Sequence, residues 1–143
     1  MPLLNYSTTV AADKTAAEVI RKLAAAGATQ ILTDYQAGRP TGLAFALDTP
    51  TGMRQYRLPV DVAAVEKVMR AYRSGVPNRY QNREQAERVA WRIMKDWIEA
   101  QLAVTETHMV SVDQVFLPYM LIDGATVYDL YLTQQLALGA GDA

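Results

Sequence analysis

"TQILTDYQAGRPTGLAFALDTPTGMRQYRLP", residues 29–59, decides the fold class of this chain. Apolar and polar residues alternate with period two through "TQILTDYQ" (29–36). The alternation resumes in "LAFALD" (43–48), where Leu43, Phe45 and Leu47 point to one side, and that is the period of a half-buried strand. "AGRPTG" supplies the turn between these two segments, and "TPTG" turns the chain into a third strand, "MRQYRLP" (53–59). Connections this short cannot carry a crossover, so the three strands form an antiparallel meander.

Towards the N-terminus, "LNYSTTV" (4–10) is short, β-branched and aromatic, and reads as one more strand. Thr15 and Glu18 follow with the spacing of a capping box, Ala16, Val19, Ile20 and Leu23 share a helical face, and Gly27 is a stop signal, so a helix is expected over 16–26. Towards the C-terminus, the period lengthens after Pro59. Val62, Val65, Val68, Met69 and Tyr72 recur at helical spacing behind Asp61, predicting a helix over 61–73 that "SGVPN" breaks. Asn82 and Gln85 repeat the capping-box spacing. Ala86, Val89, Ala90, Ile93, Trp97, Ala100 and Val104 then mark one face of a long helix over 83–107, with Trp91, Met94 and Ile98 as a second apolar edge for another element or a partner subunit. "VFLPYMLI" (115–122) is an apolar connection interrupted at Pro118; a turn falls at Asp123 and Gly124, and a last helix over 126–138 is capped by Thr126. The final residues, 139–143, hold too little apolar content to be docked and read as a disordered tail.

The order β-α-β-β-β followed by helices defines an α+β class, a small antiparallel sheet covered on one face by the first helix and the long central one. A length of 143 residues with 50% hydrophobic content builds one domain with one sizeable core. There is no cysteine, hence neither a disulfide framework nor a thiolate metal site. With no leader-like segment and no run of roughly 20 apolar residues, a cytoplasmic protein without a membrane partner is expected.

A net charge of −1 conceals strong segregation. Residues 53–95 carry ten basic groups against four acidic ones, whereas residues 96–143 carry seven acidic groups and no basic one. Such separation points to an anionic partner unless the two segments neutralise each other on folding.

Signatures of catalysis are weak. The one histidine, His108, falls just past the long helix, where a structural role is usual, and Asp96 and Glu99 at i, i+3 are explained by exposed pairs with Arg92 and Lys95. Neither a phosphate-binding G-x-x-x-x-G-K-[ST] loop nor a G-x-G-x-x-G turn is present, and no metal or cofactor is expected. The informative stretch is "YRSGVPNRYQNREQAERVAWR" (72–92). Helical pairing of Arg83 with Glu87, Glu84 with Arg88 and Arg92 with Asp96 balances part of it. Arg73 and Arg79 are left without partners, in or beside a Pro/Gly loop that also holds Asn78, Tyr80 and Asn82. Guanidinium groups for phosphate, a ring for a base and amides for its edge are what single-stranded nucleic acid or a small nucleotide requires. Together with Arg83, and with Arg57 projecting from the strand before, these residues form the candidate ligand-binding set. A second class of reading places a partner protein on the acidic C-terminal third, through Phe116, Tyr119, Tyr128 and Tyr131; the resemblance described next would make it a host or phage protein.

With "NYSTTV", "KTAAEV", "TDYQAGRPTGLAFAL", "RLPV" and above all "NREQAERVAWRIMKDWIEAQLA", the chain resembles, over most of residues 5–120, a family of small tailed-phage and virome proteins without an assigned activity. The resemblance implies a setting: a non-enzymatic phage accessory protein in bacterial cytoplasm, where such proteins bind nucleic acid, host proteins or nucleotide immune signals. It assigns no functional residue.

Overall fold

The computed structural model describes residues 2–133. Its fold is mixed α+β, with the elements in the order α1 (Ala12–Ala25), β1 (Gln30–Gln36), β2 (Arg39–Thr49), β3 (Gly52–Arg57), α2 (Val62–Arg70), α3 (Arg83–Glu106), α4 (Val112–Val115), β4 (Leu121–Ile122), β5 (Ala125–Thr126) and α5 (Val127–Leu132). Single 3₁₀ turns stand at Asn78–Tyr80 and Leu117–Tyr119. The meander is antiparallel in the order β1-β2-β3, and β4 and β5 make a separate two-residue hairpin turning on Asp123 and Gly124. The expected end of the last helix and the expected tail lie outside the described residues.

The sheet core follows from the alternation. Leu43, Phe45, Leu47 and Tyr56 face inward and pack with Val19 and Leu23 of α1, with Trp91, Met94, Ile98 and Leu102 of α3, and with Phe116. Phe45 stacks on Tyr56 and meets Phe116 edge to face. β2 is longer than the alternation alone indicates, because the turn occupies only Ala37 and Gly38 and the strand resumes at Arg39. Pro40, which cannot donate a ladder hydrogen bond, sits opposite Tyr35 where a bulge shifts the register.

Three expectations in the N-terminal region are corrected. Residues 4–10 form turns rather than a strand: Asn5 has φ +65°, and the amide of Gln85 donates to the carbonyls of both Tyr6 and Thr8, doing the work a strand partner would. Helix α1 begins at Ala12 behind Ala11, with no side-chain cap, so Thr15 lies inside it, fully buried, and Glu18 is free to reach α3. Because Gln85 is spent on the N-terminal segment, its side chain does not close a box with Asn82; the Asn82 side-chain oxygen Oδ1 alone caps α3 by accepting from the Gln85 backbone N–H. Asp61 caps α2 and Thr126 caps α5 as expected.

The stripe of α3 is rotated from the one expected. Trp91, not Trp97, is the buried tryptophan, its indole N–H donating to the Pro40 carbonyl at 2.9 Å. Trp97 is half-buried against the edges of Phe116 and Tyr119, and Ala100 and Val104 face solvent. The sheet and α1 pack on one side of α3 and α2 on another, so a wider and displaced arc is buried than a single stripe allows. The second contact is a separate cluster in which Ala86, Val89 and Ala90 of α3 meet Val62 and Met69 of α2 and Val76, with Leu3, Tyr6 and Tyr80 at its margin. No helix among the described residues is long and apolar enough to cross a membrane.

Candidate functional site

Helix α2 ends three residues earlier than its periodicity indicates, and that shortening creates the site. Ala71 leaves the helix in extended conformation and Arg73 takes φ +65°, turning Tyr72 outward instead of onto the core. Tyr72 is 89% exposed, the most exposed large hydrophobic side chain among the described residues, and the Arg73 guanidinium lies 5.3 Å from its ring centroid.

The loop over 71–82 is held by its own hydrogen bonds. The Ser74 hydroxyl donates to the Met69 carbonyl and accepts from the Val76 N–H, the Gln81 amide donates to the Val76 carbonyl, and the Asn82 amide donates to the Arg79 carbonyl. Val76 is buried in the second cluster and anchors the loop. Gly75 has φ +77°, a left-handed conformation that favours glycine, and lies beside Pro2. A loop fixed in this way presents its side chains without an ordering cost on binding.

Tyr80 is half-buried, with Tyr6 edge-on at 5.5 Å and the Arg79 guanidinium 4.8 Å above its ring. Its ring therefore supports Arg79, a cation–π contact that orients the guanidinium. Asn78 opens the 3₁₀ turn and is exposed, whereas Asn82 is engaged as the cap.

Arg83 pairs with Glu66 of α2 at 3.4 Å rather than with Glu87, and Glu66 also accepts from Arg70 at 2.9 Å. The Arg70 hydrogen bond, then that of Arg83, holds the Glu66 carboxyl below the usual glutamate range. Glu87, buried in α3, pairs instead with Arg39, which explains the exchange: the carboxylate points to the sheet side of the helix and not along its solvent face. Glu84 with Arg88 is the expected helical pair. Arg92 reaches across to Glu18 and Thr15 of α1, and Asp96 accepts from the Asn5 amide, so the pair expected between those two is absent. Arg57 stands on the outer face of the sheet, bonded to Asp34, while the cluster beneath the loop contains no sheet residue; the structure does not bring Arg57 to the other six.

Lys67, Arg73 and Arg79 have no carboxylate partner among the described residues. In residues 66–83 five cations face the single acid Glu66, and two of the five are neutralised by it. Tyr72 and Lys67 are the members that sequence reasoning missed. Lys67 is signalled only by its lack of an i, i+4 acid, and nothing local marks where α2 stops short of Tyr72.

A cleft of about 950 Å³ lies elsewhere, between the C-terminal halves of α1 and α3 and the segment 108–114. It is lined by His108, Glu106 and Glu99 among others. His108 has φ +64° and closes the C-terminus of α3, its N–H donating to the Thr105 carbonyl. Glu99 is held below the usual glutamate range by Lys95 and then Lys22. Paired in this way, Glu99 is not free to share a ligand with Asp96.

These features define the molecule as an α+β meander with two helical layers, displaying a preformed basic loop. Compared with known proteins, the chain matches no family model, no curated protein and no solved structure.

Proposed function

We propose that this is a non-enzymatic accessory protein whose Arg/Tyr loop binds a phosphate-bearing ligand, and that the ligand is a single-stranded nucleic acid. The observation that carries the reading is the pair of unneutralised guanidiniums, Arg73 and Arg79, each set against a tyrosine ring on one internally bonded loop. Guanidinium groups left without a carboxylate in a protein of net charge −1 are suited to phosphate, and Lys67 extends the cationic surface by one turn of α2.

The two tyrosines take different roles. Tyr80 is covered on one face by Arg79 and packed at its edge by Tyr6, so it positions a cation. Tyr72 carries Arg73 over one face and is otherwise exposed, so a base stacks on its other face while the guanidiniums of Arg73 and Arg79 hold phosphates. Exposure of this order favours a strand passing over the surface above a small nucleotide enclosed in a pocket. A setting in bacterial host cytoplasm, as the resemblance to phage proteins implies, supplies such strands.

The test is fluorescence anisotropy with a labelled oligodeoxythymidine, an unlabelled duplex and a cyclic dinucleotide as competitors. Three free cations predict a log–log salt slope of about −2 for single strands, from a coefficient of about −0.7 per phosphate. Tyr72→Ala should weaken binding by roughly 1–3 kcal/mol with no change in thermal stability. Wild-type protein that fails to bind the oligonucleotide at low salt would sink the reading. Preferential displacement by the cyclic dinucleotide would replace it with the small-nucleotide one.

A further inference from the structure

Charge segregation along the chain survives folding. Of the ten basic side chains in residues 53–95, only Lys95 pairs with an acid from residue 96 onward among the described residues, namely Glu99; the other ion pairs of that segment go to Asp34, Glu66, Glu84 and Glu18. Apart from Glu99, the described acids of the C-terminal third are therefore not neutralised by the basic segment. Asp123 and Asp129 have no cationic partner among the described residues, and the hairpin, α5 and the preceding 3₁₀ turn expose Ile122, Tyr128, Tyr131, Leu132 and Leu117, each more than 40% accessible. Tyr128 and Tyr131 lie 6.1 Å apart, centroid to centroid. A surface both acidic and aromatic is unusual on an isolated monomer, because it combines repulsion among its charges with apolar area left in water.

We infer that the occupant of this surface is a second copy of the chain, whose Arg/Tyr loop docks on the acidic hairpin–α5 face, so that the protein self-associates head to tail. Complementarity is the argument. The loop presents Lys67, Arg73, Arg79 and an 89% exposed Tyr72, opposite in charge to the hairpin–α5 face and like it in aromatic character. Aromatic residues and arginine are the side chains that carry binding energy at protein interfaces, and complementary potentials set the register. Because the two faces are different surfaces of one molecule, the contact is heterologous: it leaves an unused face at each end of the assembly and adds further copies, instead of closing a two-fold dimer. This inference rests on charge and exposure alone and stands whether or not the loop binds nucleic acid.

The experiment is size-exclusion chromatography with light scattering on protein stripped of nucleic acid, over a range of concentrations at low and high salt. The average mass of wild-type protein should rise with concentration at about 50 mM salt and return to the monomer at about 1 M, where charges more than about 3 Å apart are screened. Two variants remove one face each while respecting local backbone. Asp123→Asn with Asp129→Asn keeps a residue tolerant of φ +53° at the turn and an acceptor at the α5 cap; Arg73→Asn with Arg79→Ser keeps a residue tolerant of φ +65° in the loop. Each variant alone should remain monomeric with an unchanged melting temperature. Their equimolar mixture should form a complex that stops at twice the monomer mass, since only one competent face of each kind remains. Wild-type protein that is monomeric throughout overturns the inference. So does either variant associating as the wild type does, or a mixture that stays monomeric.

Discussion

Replacing Trp91 by phenylalanine tests the arrangement on which the whole domain depends. The indole is fully buried between α3 and the sheet, and its N–H is bonded to the carbonyl of Pro40, itself among the fully buried residues. Phenylalanine removes the donor and strands that carbonyl away from water, which costs about 1–3 kcal/mol. The smaller ring adds a cavity term on the order of 1 kcal/mol, as partial relaxation is usual in packed cores. A loss of about 2–4 kcal/mol lowers the melting temperature by roughly 10 °C in a domain of this size. Trp97→Phe serves as the control: Trp97 is half-buried, makes no side-chain hydrogen bond, and keeps an aromatic edge for Phe116 and Tyr119 after the change, so its cost is under about 1.5 kcal/mol. Urea unfolding followed by far-UV circular dichroism gives the two free energies. Fluorescence gives an independent check, because the variant retaining Trp91 should emit further to the blue and resist acrylamide quenching. If Trp97→Phe is the more destabilising change, or if Trp91 is the more quenchable indole, the rotated stripe of α3 is wrong.

Other outcomes follow from single groups. The Tyr56 hydroxyl is buried with no hydrogen-bond partner among the described residues, so Tyr56→Phe should leave stability unchanged or raise it by up to about 1 kcal/mol in thermal unfolding, against the loss usual for a core substitution. Burial, then the charge of Asp113, raises the Tyr56 phenol; its folded pKa lies above the unfolded value near 10, so stability is retained at neutral pH and falls as pH rises past about 10, a fall that Tyr56→Phe should flatten. Glu66 and Glu99 are held below their ordinary value, so their contribution is present above about pH 4.5 and disappears as pH falls through their lowered folded values; the double variant Glu66→Gln, Glu99→Gln should show a shallower acid limb in a melting-temperature profile. Gln85→Ala releases the carbonyls of Tyr6 and Thr8, and hydrogen exchange over residues 2–10 should accelerate while that of the sheet is unaffected; equal acceleration in both would show that the segment and the sheet open as one unit.

What could be read from residue order alone was whatever local physics decides. Period-two alternation in 29–59 demands a half-buried sheet, short Pro/Gly connections demand that it be antiparallel, and the Asp61, Asn82 and Thr126 caps stand where free N–H groups need an acceptor. The isolation of Arg73 and Arg79 was legible as well, since ion pairing along a helix is a matter of spacing. Tertiary structure decided everything that depends on a distant neighbour. Residues 4–10 have strand composition, yet they join no strand of the sheet, and the side chain of Gln85 satisfies the carbonyls of Tyr6 and Thr8 from 79 and 77 residues away. Glu87 turns to Arg39 and Arg92 to Glu18 because α3 is flanked by the sheet and α1, and a cross-element partner displaces the one four residues along. The same cause moves the buried stripe to Trp91, and it ends α2 at Arg70, where Met69 fills the second cluster and Tyr72 has no further apolar surface to cover. A periodicity counts the residues able to face a core, whereas only the packed chain determines how far that core extends.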